Sequence, residues 1–359
     1  MPSSVTRALY GFILIAAVAA SSPPLSAAAE SAPDQSAPNQ SAEDFYRANR
    51  TMTLIVYTTA GSTYDLYGRV LVRHMPRYIP GEPTIVAKNM IGAGGLLATR
   101  YLYSQAPRDG LTFGTIGRGL AFEPLLGGSK TVDFDPLKFL WLGSMNREST
   151  LAVSWHTSQV KTAQDLFTKE LMVAGTGAGA DSQIIPNALN GLLGTKFKII
   201  AGYDSVTNAA LAMERGEIEG LGYWSWSALK SSKPTWAPEG KVNLLFQTSL
   251  KPHPELPNVP LVTSLARSDE ERQALELIFA RETLGRPFLA PPELPADRGK
   301  LLRDAFDRTM TDKAFLADAE KAKMEVELVT GEEVEALLRK VYATPEAIVE
   351  RTREAMNRQ

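Results

Sequence analysis

The fold is indicated first by residues 51–75, which read TMTLIVYTTAGSTYDLYGRVLVRHM. Residues 51–57 form a short run of apolar and β-prone side chains, and residues 58–65 are small and polar. From Leu66 onward the apolar side chains recur at helical spacing until Pro76 ends the pattern. The stretch therefore predicts a buried strand, a polar loop and a helix.

The alternation of strands and helices continues along the chain. After this first unit the sequence predicts strand 84–88, helix 96–104, strand 111–116, apolar segments within 139–153, helix 160–166, strand 171–174, helix 184–193, strand 197–200, helix 207–215, strand 218–223 and strand 241–247. Strands that alternate with helices indicate parallel sheets. Beyond residue 268 the sequence predicts helices only, at residues 270–281, 297–310, 313–322, 332–341 and 345–356.

The pattern predicts two α/β domains with a cleft between them. The alternation restarts near residue 160, and the proline-rich residues 252–260 indicate a crossing back to the first unit. We expect residues 51–150 and 250–359 to form domain 1 and residues 151–249 to form domain 2. Open parallel sheets bind ligands at the carboxyl ends of their strands, where helix N-termini present free N–H groups. A carboxylate or a phosphate suits such a cleft.

The N-terminus has the three parts of a secretory signal. Arg7 precedes an uncharged apolar run over residues 8–20, and small residues follow at 26–29 before the first acid. The run of about 13 residues is shorter than the ~18 to 20 that span a bilayer, which argues against the alternative of an uncleaved anchor. We therefore expect residues 1–29 to be removed as a signal peptide. Residues 30–50 have the composition of a disordered leader.

Composition excludes several classes of function. The 38 basic residues are balanced by 40 acidic ones, so the chain has no excess of positive charge to hold a nucleic-acid backbone. It has no Cys, which removes disulfides, thiolate metal sites, iron–sulfur clusters, Cys nucleophiles and lipid attachment through Cys. The 44% of hydrophobic residues is enough for a globular core.

Several short motifs together resemble a known family. They are Ala60-Gly61-Ser62-Thr63-Tyr64-Asp65 followed by Gly68-Arg69, then Asn89-Met90-Ile91-Gly92-Ala93-Gly94-Gly95, Pro107-Arg108-Asp109-Gly110, Gly175-Thr176-Gly177-Ala178-Gly179-Ala180-Asp181-Ser182, Tyr203-Asp204-Ser205 and Gly216-Glu217-Ile218-Glu219. In this order they resemble the solute receptors of tripartite tricarboxylate transporters, called the Bug family. The Asn-x-x-Gly-Ala-Gly-Gly stretch combined with Pro-x-Asp-Gly is the most specific part. The resemblance covers residues 51–356.

The resemblance implies a fold and a function. Members of this family are periplasmic receptors of the two-domain, periplasmic-binding-protein type, in which α/β domains close on a small organic acid and deliver it to a membrane permease. They commonly hold a ligand carboxylate with loop N–H groups, Ser or Thr hydroxyls and bridging waters. The resemblance therefore implies carboxylate and permease partners, a periplasmic location and no cofactor. We also expect a monomer that binds no nucleic acid.

The sequence departs from the family pattern at three places. Its first loop replaces the usual Pro-Gly-Gly-Gly-Ser/Thr-Asp and gains Tyr64, Asp181 replaces a small hydroxyl residue, and Asp204 replaces a position that is often basic or polar. An extra carboxylate beside an anion costs energy unless it is protonated, is paired, or meets a donor of the ligand. These departures argue for a ligand other than citrate.

The loops and strand ends supply the candidate ligand-binding residues. Ser62 to Asp65 and Thr176 to Ser182 precede helices with free N–H groups, Arg118 follows the third strand between glycines, and Trp224 ends a strand. The full candidate set is Ser62, Thr63, Tyr64, Asp65, Arg118, Thr176, Gly177, Ala178, Gly179, Asp181, Ser182, Asp204, Ser205 and Trp224.

Each candidate has a purely structural alternative. Asp65 is also placed to cap the helix that follows it. Arg118 is also consistent with a solvated surface residue, and Trp224 with ordinary packing. If Arg118 enters the cleft, its forked donors suit a carboxylate. If Tyr64 and Trp224 wall the cleft, an aromatic acid is favoured.

The sequence offers no catalytic or metal site. Its three histidines, His74, His156 and His253, are far apart and none has metal-ligand spacing. The glycines at residues 92–95 lack the full dinucleotide-binding signature, and the chain has no Gly-x-Ser-x-Gly or His-Glu-x-x-His motif. We therefore predict a receptor for a small organic carboxylate, with an aromatic or otherwise largely apolar mono- or dicarboxylate preferred over citrate. The alternatives are a periplasmic enzyme acting on a small organic acid and a sensory receptor.

Overall fold

The computed structural model describes residues 41–127, 132–176, 180–203 and 205–357. Its strands are β1 Thr51–Val56, β2 Thr84–Asn89, β3 Thr112–Thr115, β4 Leu140–Ser144, β5 Thr150–Trp155, β6 Leu171–Gly175, β7 Phe197–Ala201, β8 Gly220–Ser225, β9 Val242–Gln247, β10 Pro287–Ala290 and β11 Val329–Thr330. Its α-helices are α1 Ala42–Ala48, α2 Thr63–His74, α3 Leu96–Arg100, α4 Glu123–Leu126, α5 Asp181–Leu193, α6 Val206–Glu214, α7 Trp226–Ser232, α8 Asp269–Phe279, α9 Ala296–Met310, α10 Lys313–Lys321, α11 Gly331–Tyr342 and α12 Glu346–Asn357. Within these ranges no helix is both long and apolar enough to cross a membrane.

The first sheet has six strands in the order β11-β4-β10-β3-β1-β2. The strands β1, β2 and β3 are parallel, as the strand–helix alternation predicts. However, β10 is inserted between β3 and β4 and is antiparallel to both. The sequence predicts helices only beyond residue 268, and this is wrong at β10 and β11. The strand β10 begins at Pro287 and is followed by two further prolines, which argue against a strand in the sequence, and β11 has only two residues.

The second sheet has five strands in the order β7-β6-β8-β5-β9. The strand β6 is parallel to β7 and β8, whereas β5 is antiparallel to β8 and β9. The expectation of wholly parallel sheets is therefore wrong for both sheets, because each contains a strand that arrives from the other sheet in the opposite direction. The predicted α/β class is correct, with helices packed against mixed sheets.

The folded chain begins before the predicted position. We expected a disordered leader over residues 30–50, but α1 lies within it, capped by Ser41, whose side chain accepts from the Asp44 N–H. Tyr46 is fully buried and donates from its hydroxyl to the carbonyl oxygen of Gly110 at 3.0 Å. This buried ring anchors the helix against the first sheet. The predicted signal peptide and the first part of the leader lie outside the described residues.

Two crossing segments join the sheets. The chain passes from β4 to β5 through residues 145–149, and returns after β9. The late helices α8 and α12 contribute buried side chains to the same apolar cluster as α5, which packs with strands of the second sheet. We assigned these helices to domain 1 from the sequence, and the domain boundaries stay a prediction.

Candidate ligand-binding cleft

A cleft of about 680 Å³ is lined by residues associated with both sheets. One side is formed by the start of α2, the loop after β3 and the segment after α10, and the other by the starts of α5 and α7. Glu148 and Arg286 come from segments next to β5 and β10. The lining residues are Tyr57, Thr63, Tyr64, Leu66, Tyr67, Gly117, Arg118, Gly119, Glu148, Asp181, Ser225, Ser227, Ala228, Ser231, Arg286, Ala322, Lys323, Met324 and Glu325.

Ser62 and Asp65 hold the first loop rather than line the cleft. The Ser62 hydroxyl caps α2 by accepting from the Asp65 N–H at 3.4 Å, so the predicted capping role belongs to Ser62. Asp65 is only 2% exposed. Its Oδ2 accepts from the Gly61 N–H at 2.8 Å and from Arg69 Nε at 2.7 Å, and its Oδ1 accepts from Asn89 Nδ2 at 2.8 Å.

These contacts explain the acidity of Asp65. Burial by itself would raise the pKa of this carboxyl, but the hydrogen bonds from Arg69, Gly61 and Asn89 outweigh burial and lower the pKa below its usual value. The carboxylate therefore stays ionised and ties the loop to α2 and to the end of β2. It presents little negative charge to a ligand.

Thr63 and Tyr64 do line the cleft, and Tyr64 belongs to an aromatic wall. The rings of Tyr57 and Tyr64 meet edge to face with their centres 4.8 Å apart. The guanidinium carbon of Arg286 lies 4.6 Å from the centre of the Tyr64 ring and 5.1 Å from that of Tyr67. At these distances the cation is attracted to the ring faces. The wall offers both apolar area and a charged edge.

Arg118 lines the cleft but is already engaged by the protein. Its side chain is 17% exposed, and it donates to Glu282 at 3.0 Å and to the Tyr223 hydroxyl at 3.2 Å. Tyr223 in turn donates to Glu282. Burial raises the pKa of Glu282, and the nearby Arg118 charge opposes that shift. Arg118 is therefore a buried, paired cation and not the solvated surface residue of the alternative interpretation.

In the loop of residues 176–182, as in the first loop, some side chains hydrogen-bond within the loop and others line the cleft. Thr176 and Ser182 hydrogen-bond to each other, with the Thr176 N–H donating to Ser182 Oγ at 3.0 Å and the two hydroxyl oxygens 2.8 Å apart. Asp181 lines the cleft and is paired with Arg281 at 3.1 Å, which offsets its charge. The helix α5 that follows has Ala180 at its N-cap, which supplies no side-chain acceptor. The predicted contacts Gly177, Ala178 and Gly179 lie outside the described residues.

Two of the remaining candidates, Ser205 and Trp224, are not brought to the cleft. Ser205 caps α6 by accepting from the Asn208 N–H at 3.1 Å, and Asp204 lies outside the described residues. Trp224 is 4% exposed and packs in an apolar cluster against Trp236, with ring centres 6.0 Å apart. Successive side chains of a strand point to opposite faces, so Ser225 lines the cleft and Trp224 enters the core.

Four charged residues that line the cleft were not predicted from the sequence: Lys323, Glu325 and the two largely buried ones, Glu148 and Arg286. Glu148 is 2% exposed and accepts from Ser225 Oγ at 2.8 Å. Arg286 lies just before β10, in the part of the chain for which we predicted helices only. No signal in the sequence marks either of these two, because other charged residues stand near each of them.

The described residues contain no group of His, Asp or Glu side chains that could hold a metal ion. The chemistry available in the cleft is therefore that of hydroxyls, N–H groups, tyrosine rings and paired charges. This inventory suits reversible capture of a polar ligand through hydrogen bonds and ring contacts.

The sequence matches no protein-family model and no curated protein. In structure it is similar to a TctC solute-binding protein from Polaromonas, with 17% identity, a TM-score of 0.66 and coverage of 84% of this chain and 98% of that one. It is also similar to the periplasmic binding protein BugD, with 19% identity, a TM-score of 0.57 and coverage of 85% and 97%. A third similar structure is Rpa4515 of R. palustris with adipate, with 17% identity, a TM-score of 0.58 and coverage of 84% and 97%.

Sequence identities of 17–19% are too low to transfer a function, but the alignments cover 84–85% of this chain and 97–98% of the other chains. The predicted fold class is confirmed: this chain has the α/β fold of the periplasmic solute-binding proteins, with a cleft lined from both of its sheets.

Proposed function

We propose that this protein is an extracytoplasmic receptor that captures a small organic carboxylate and delivers it to a transporter of the tripartite tricarboxylate type. Two independent lines support the proposal, the family motifs of the sequence and the fold shared with TctC and BugD. Among proteins of similar fold, Rpa4515 was determined with adipate and the R. palustris protein MatC with bound malate. The proposal extends this chemistry to the present chain.

The observation that carries the proposal is the composition of the cleft. It combines the uncapped N-terminus of α5, the hydroxyls of Thr63 and Ser227, and the Arg286 guanidinium over tyrosine rings. N-terminal N–H groups and guanidinium edges both stabilise a carboxylate. The volume of about 680 Å³ lies in the range of ordinary small-molecule sites.

The cleft also bears on the kind of acid. Because Trp224 is packed in the core, the aromatic surface comes from Tyr57, Tyr64 and Tyr67 on one side only. One ring of a ligand can still stack there, with about 0.5 to 1.5 kcal/mol per ring pair beyond area burial. Citrate gains nothing from this wall and brings up to three charges beside Glu148. We therefore keep aromatic acids as the preferred class.

Location and partners complete the proposal. We propose that residues 1–29 act as a signal peptide, that the mature protein works in the periplasm as a monomer without a lipid anchor, and that its partners are the permease subunits. The receptor is proposed to bind without turnover, which separates it from a periplasmic enzyme. A sensory receptor would bind the same ligand but would not support uptake.

The test is a binding screen with purified mature protein. Thermal unfolding is measured with aliphatic and aromatic mono-, di- and tricarboxylates, because a ligand at 100 times its Kd adds about 2.7 kcal/mol of stability. Hits are titrated by calorimetry for one-to-one stoichiometry, and the ligand is recovered and checked by NMR for chemical change. Stabilisation by no carboxylate would refute the receptor, and recovery of a product would favour the enzyme.

A pair of variants ties binding to the cleft. Tyr64→Ala removes a ring of the cleft wall, and Tyr103→Ala removes a ring that meets Phe139 edge to face at 5.4 Å in another part of the core. We expect Tyr64→Ala alone to weaken the best ligand by about tenfold. Equal effects of the two variants would place the ligand elsewhere.

A further inference from the structure

Arg286 is held in one orientation with a donor left over. Its Nη1 donates to the carbonyl oxygen of Gly285 at 2.6 Å and lies 3.5 Å from the Glu148 carboxylate. Its guanidinium carbon lies against the rings of Tyr64 and Tyr67, and its side chain is only 12% exposed. Within the described ranges Nη2 has no hydrogen-bond partner. A fixed, partly desolvated guanidinium edge of this kind is a preformed partner for one carboxylate.

The other arginine of the cleft is not free in this way. Arg118 donates from Nη1 to Glu282 and from Nη2 to the Tyr223 hydroxyl, so both ends of its fork are used inside the protein. A ligand carboxylate that approached Arg118 would compete with Glu282, which is buried and adjacent. Arg286 is therefore the better anchor.

Glu148 stands beside this anchor with acceptor capacity to spare. It accepts one hydrogen bond from Ser225, and its Oε2 lies 3.5 Å from Arg286 and 3.9 Å from Arg118. An ionised carboxylate has about four acceptor positions. A hydroxyl or ammonium group of a ligand held on Arg286 would fill one of them, whereas a second ligand carboxylate would meet repulsion there.

The other charges of the cleft give a second carboxylate little support. Asp181 is paired with Arg281 at 3.1 Å, and Glu325 is paired with Lys230 at 3.0 Å. Lys323 is exposed to solvent, where its charge is screened. Among the described lining residues, Arg286 is therefore the largely buried cation with a free donor, and it lies next to Glu148, an anion with free acceptor sites.

We propose that Arg286 binds the ligand's carboxylate, and that Glu148 selects a ligand carrying a hydrogen-bond donor next to it. The ligand class is then a monocarboxylate with a neighbouring hydroxyl or ammonium group, in preference to the unsubstituted acid and to the dicarboxylate of the same skeleton. This inference rests on the proposed receptor function and states which end of the site binds the ligand's carboxylate and which end binds its hydrogen-bond donor.

The experiment uses matched acids that differ in one group. Calorimetry compares phenylacetate, mandelate, phenylglycine and phenylmalonate, and the aliphatic set propionate, lactate, alanine and methylmalonate, on the mature protein. The hydroxyl and ammonium arms distinguish the two kinds of donor. The variants are Arg286→Met, Arg286→Lys and Glu148→Gln. The controls are Arg215→Met and Glu217→Gln, which form an exposed ion pair of 2.8 Å outside the lining of the cleft.

In the set that binds, the donor-bearing acid should bind at least about tenfold more tightly than the unsubstituted acid, because a hydrogen bond to a charged group is gained. Arg286→Met should weaken every acid by about 10-fold to 100-fold, and Arg286→Lys by less because the charge is kept. Glu148→Gln should remove most of the preference for the ammonium acid and improve binding of the dicarboxylate. The controls should stay within about twofold.

Several outcomes would overturn the inference. Equal affinity for acids with and without the donor, tighter binding of the dicarboxylate by the wild type, or unchanged affinity in Arg286→Met would each do so while leaving a carboxylate receptor in place. Absence of binding by every carboxylate of the broader screen would instead refute the receptor function itself, and this inference with it. Unfolding temperatures of the unliganded variants separate weakened binding from misfolding, and Arg286→Lys decides the question if Arg286→Met does not fold.

Discussion

Replacing Asp65 by Asn tests whether this carboxylate organises the first loop of the cleft. The side chain keeps its shape but loses its charge and one acceptor atom. The asparagine side chain can take two orientations. With its oxygen toward Gly61 and Arg69, its NH2 group faces the NH2 group of Asn89, so that hydrogen bond is lost. With the amide turned round, Gly61 and Arg69 both lose their acceptor. At least one hydrogen bond is therefore lost, and the others are no longer to a charged acceptor.

The cost follows from these contacts. Hydrogen bonds to charged groups contribute about 1.5 to 3 kcal/mol each, and they are not additive, so we expect Asp65→Asn to lower the free energy of unfolding by about 2 to 4 kcal/mol. At about 2.1 cal/mol/K per residue, a folded unit spanning Ser41–Gln359 has an unfolding entropy of about 0.7 kcal/mol per kelvin. The unfolding temperature should fall by about 3 to 6 °C.

The pH dependence gives a second, independent signature. The pKa of Asp65 is lowered in the folded protein, so its contribution to stability is present above the unfolded value of about 3.9 and is lost as the pH falls through the lower folded value. The stability difference between wild type and Asp65→Asn should be constant from pH 5 to 8 and should shrink below about pH 4.

Thermal and urea unfolding of both proteins over this pH range provide the measurement. The control is Asp133→Asn, because Asp133 has the same 2.7 Å contact to an arginine Nε but is 67% exposed. An exposed pair contributes at most about 1 kcal/mol, so the control should change little. A loss of less than about 1 kcal/mol in Asp65→Asn, or equal losses in both variants, would show that the loop does not depend on this carboxylate.

Three further predictions concern other parts of the molecule. Burial raises the pKa of Asp307 to about 6, so the stability that its protonated form contributes is lost as the pH rises through 6. In urea unfolding, Asp307→Asn should therefore be about 1 kcal/mol more stable than wild type at pH 7.5, a small gain because the group is half exposed. Below pH 4 the two proteins should be equally stable. Trp224→Ala should lower the free energy of unfolding by about 3 to 5 kcal/mol, because the ring is buried. At a temperature where both proteins are folded, calorimetry should give a carboxylate affinity within about twofold of wild type. A loss of affinity without a loss of stability would show that Trp224 contacts the ligand. Mass spectrometry of the periplasmic protein should find an N-terminus close to Glu30, and full-length protein in the soluble fraction would count against export.

The sequence predicted those elements that show either a helical period or a short β-prone run bounded by turn residues. The first strand and helix, the strands β2 and β3, and most helices after residue 268 therefore lie within a few residues of their predicted bounds. The missed strand β10 is as short and as buried as β3, but it begins at Pro287 and is followed by two further prolines, which argue against a strand in the sequence. Its antiparallel insertion between β3 and β4 is set by the tertiary path of the chain.

The candidate site was predicted less well for a related reason. The loops were found because small and polar residues follow strands, but within a loop the sequence does not say which side chain turns inward to hold the backbone. Ser62, Asp65, Thr176 and Ser182 all satisfy their own loops, whereas Thr63, Tyr64 and Asp181 beside them line the cleft. The two groups of side chains stand next to each other in the same motifs and differ only in whether they point into the loop or into the cleft.

The polarity of the cleft depends on contacts that no local pattern contains. Glu148 and Arg286 are far apart in the sequence, and each has other charged residues near it in the chain, so neither stands out. They meet because β4 and β10 pair in the first sheet just before the chain crosses to or from the second. Charges in such crossing segments would cost free energy if they were buried without partners, so their presence indicates mutual pairing. The pair could be recognised only once β10 was placed beside β4, because no local motif joins the two residues.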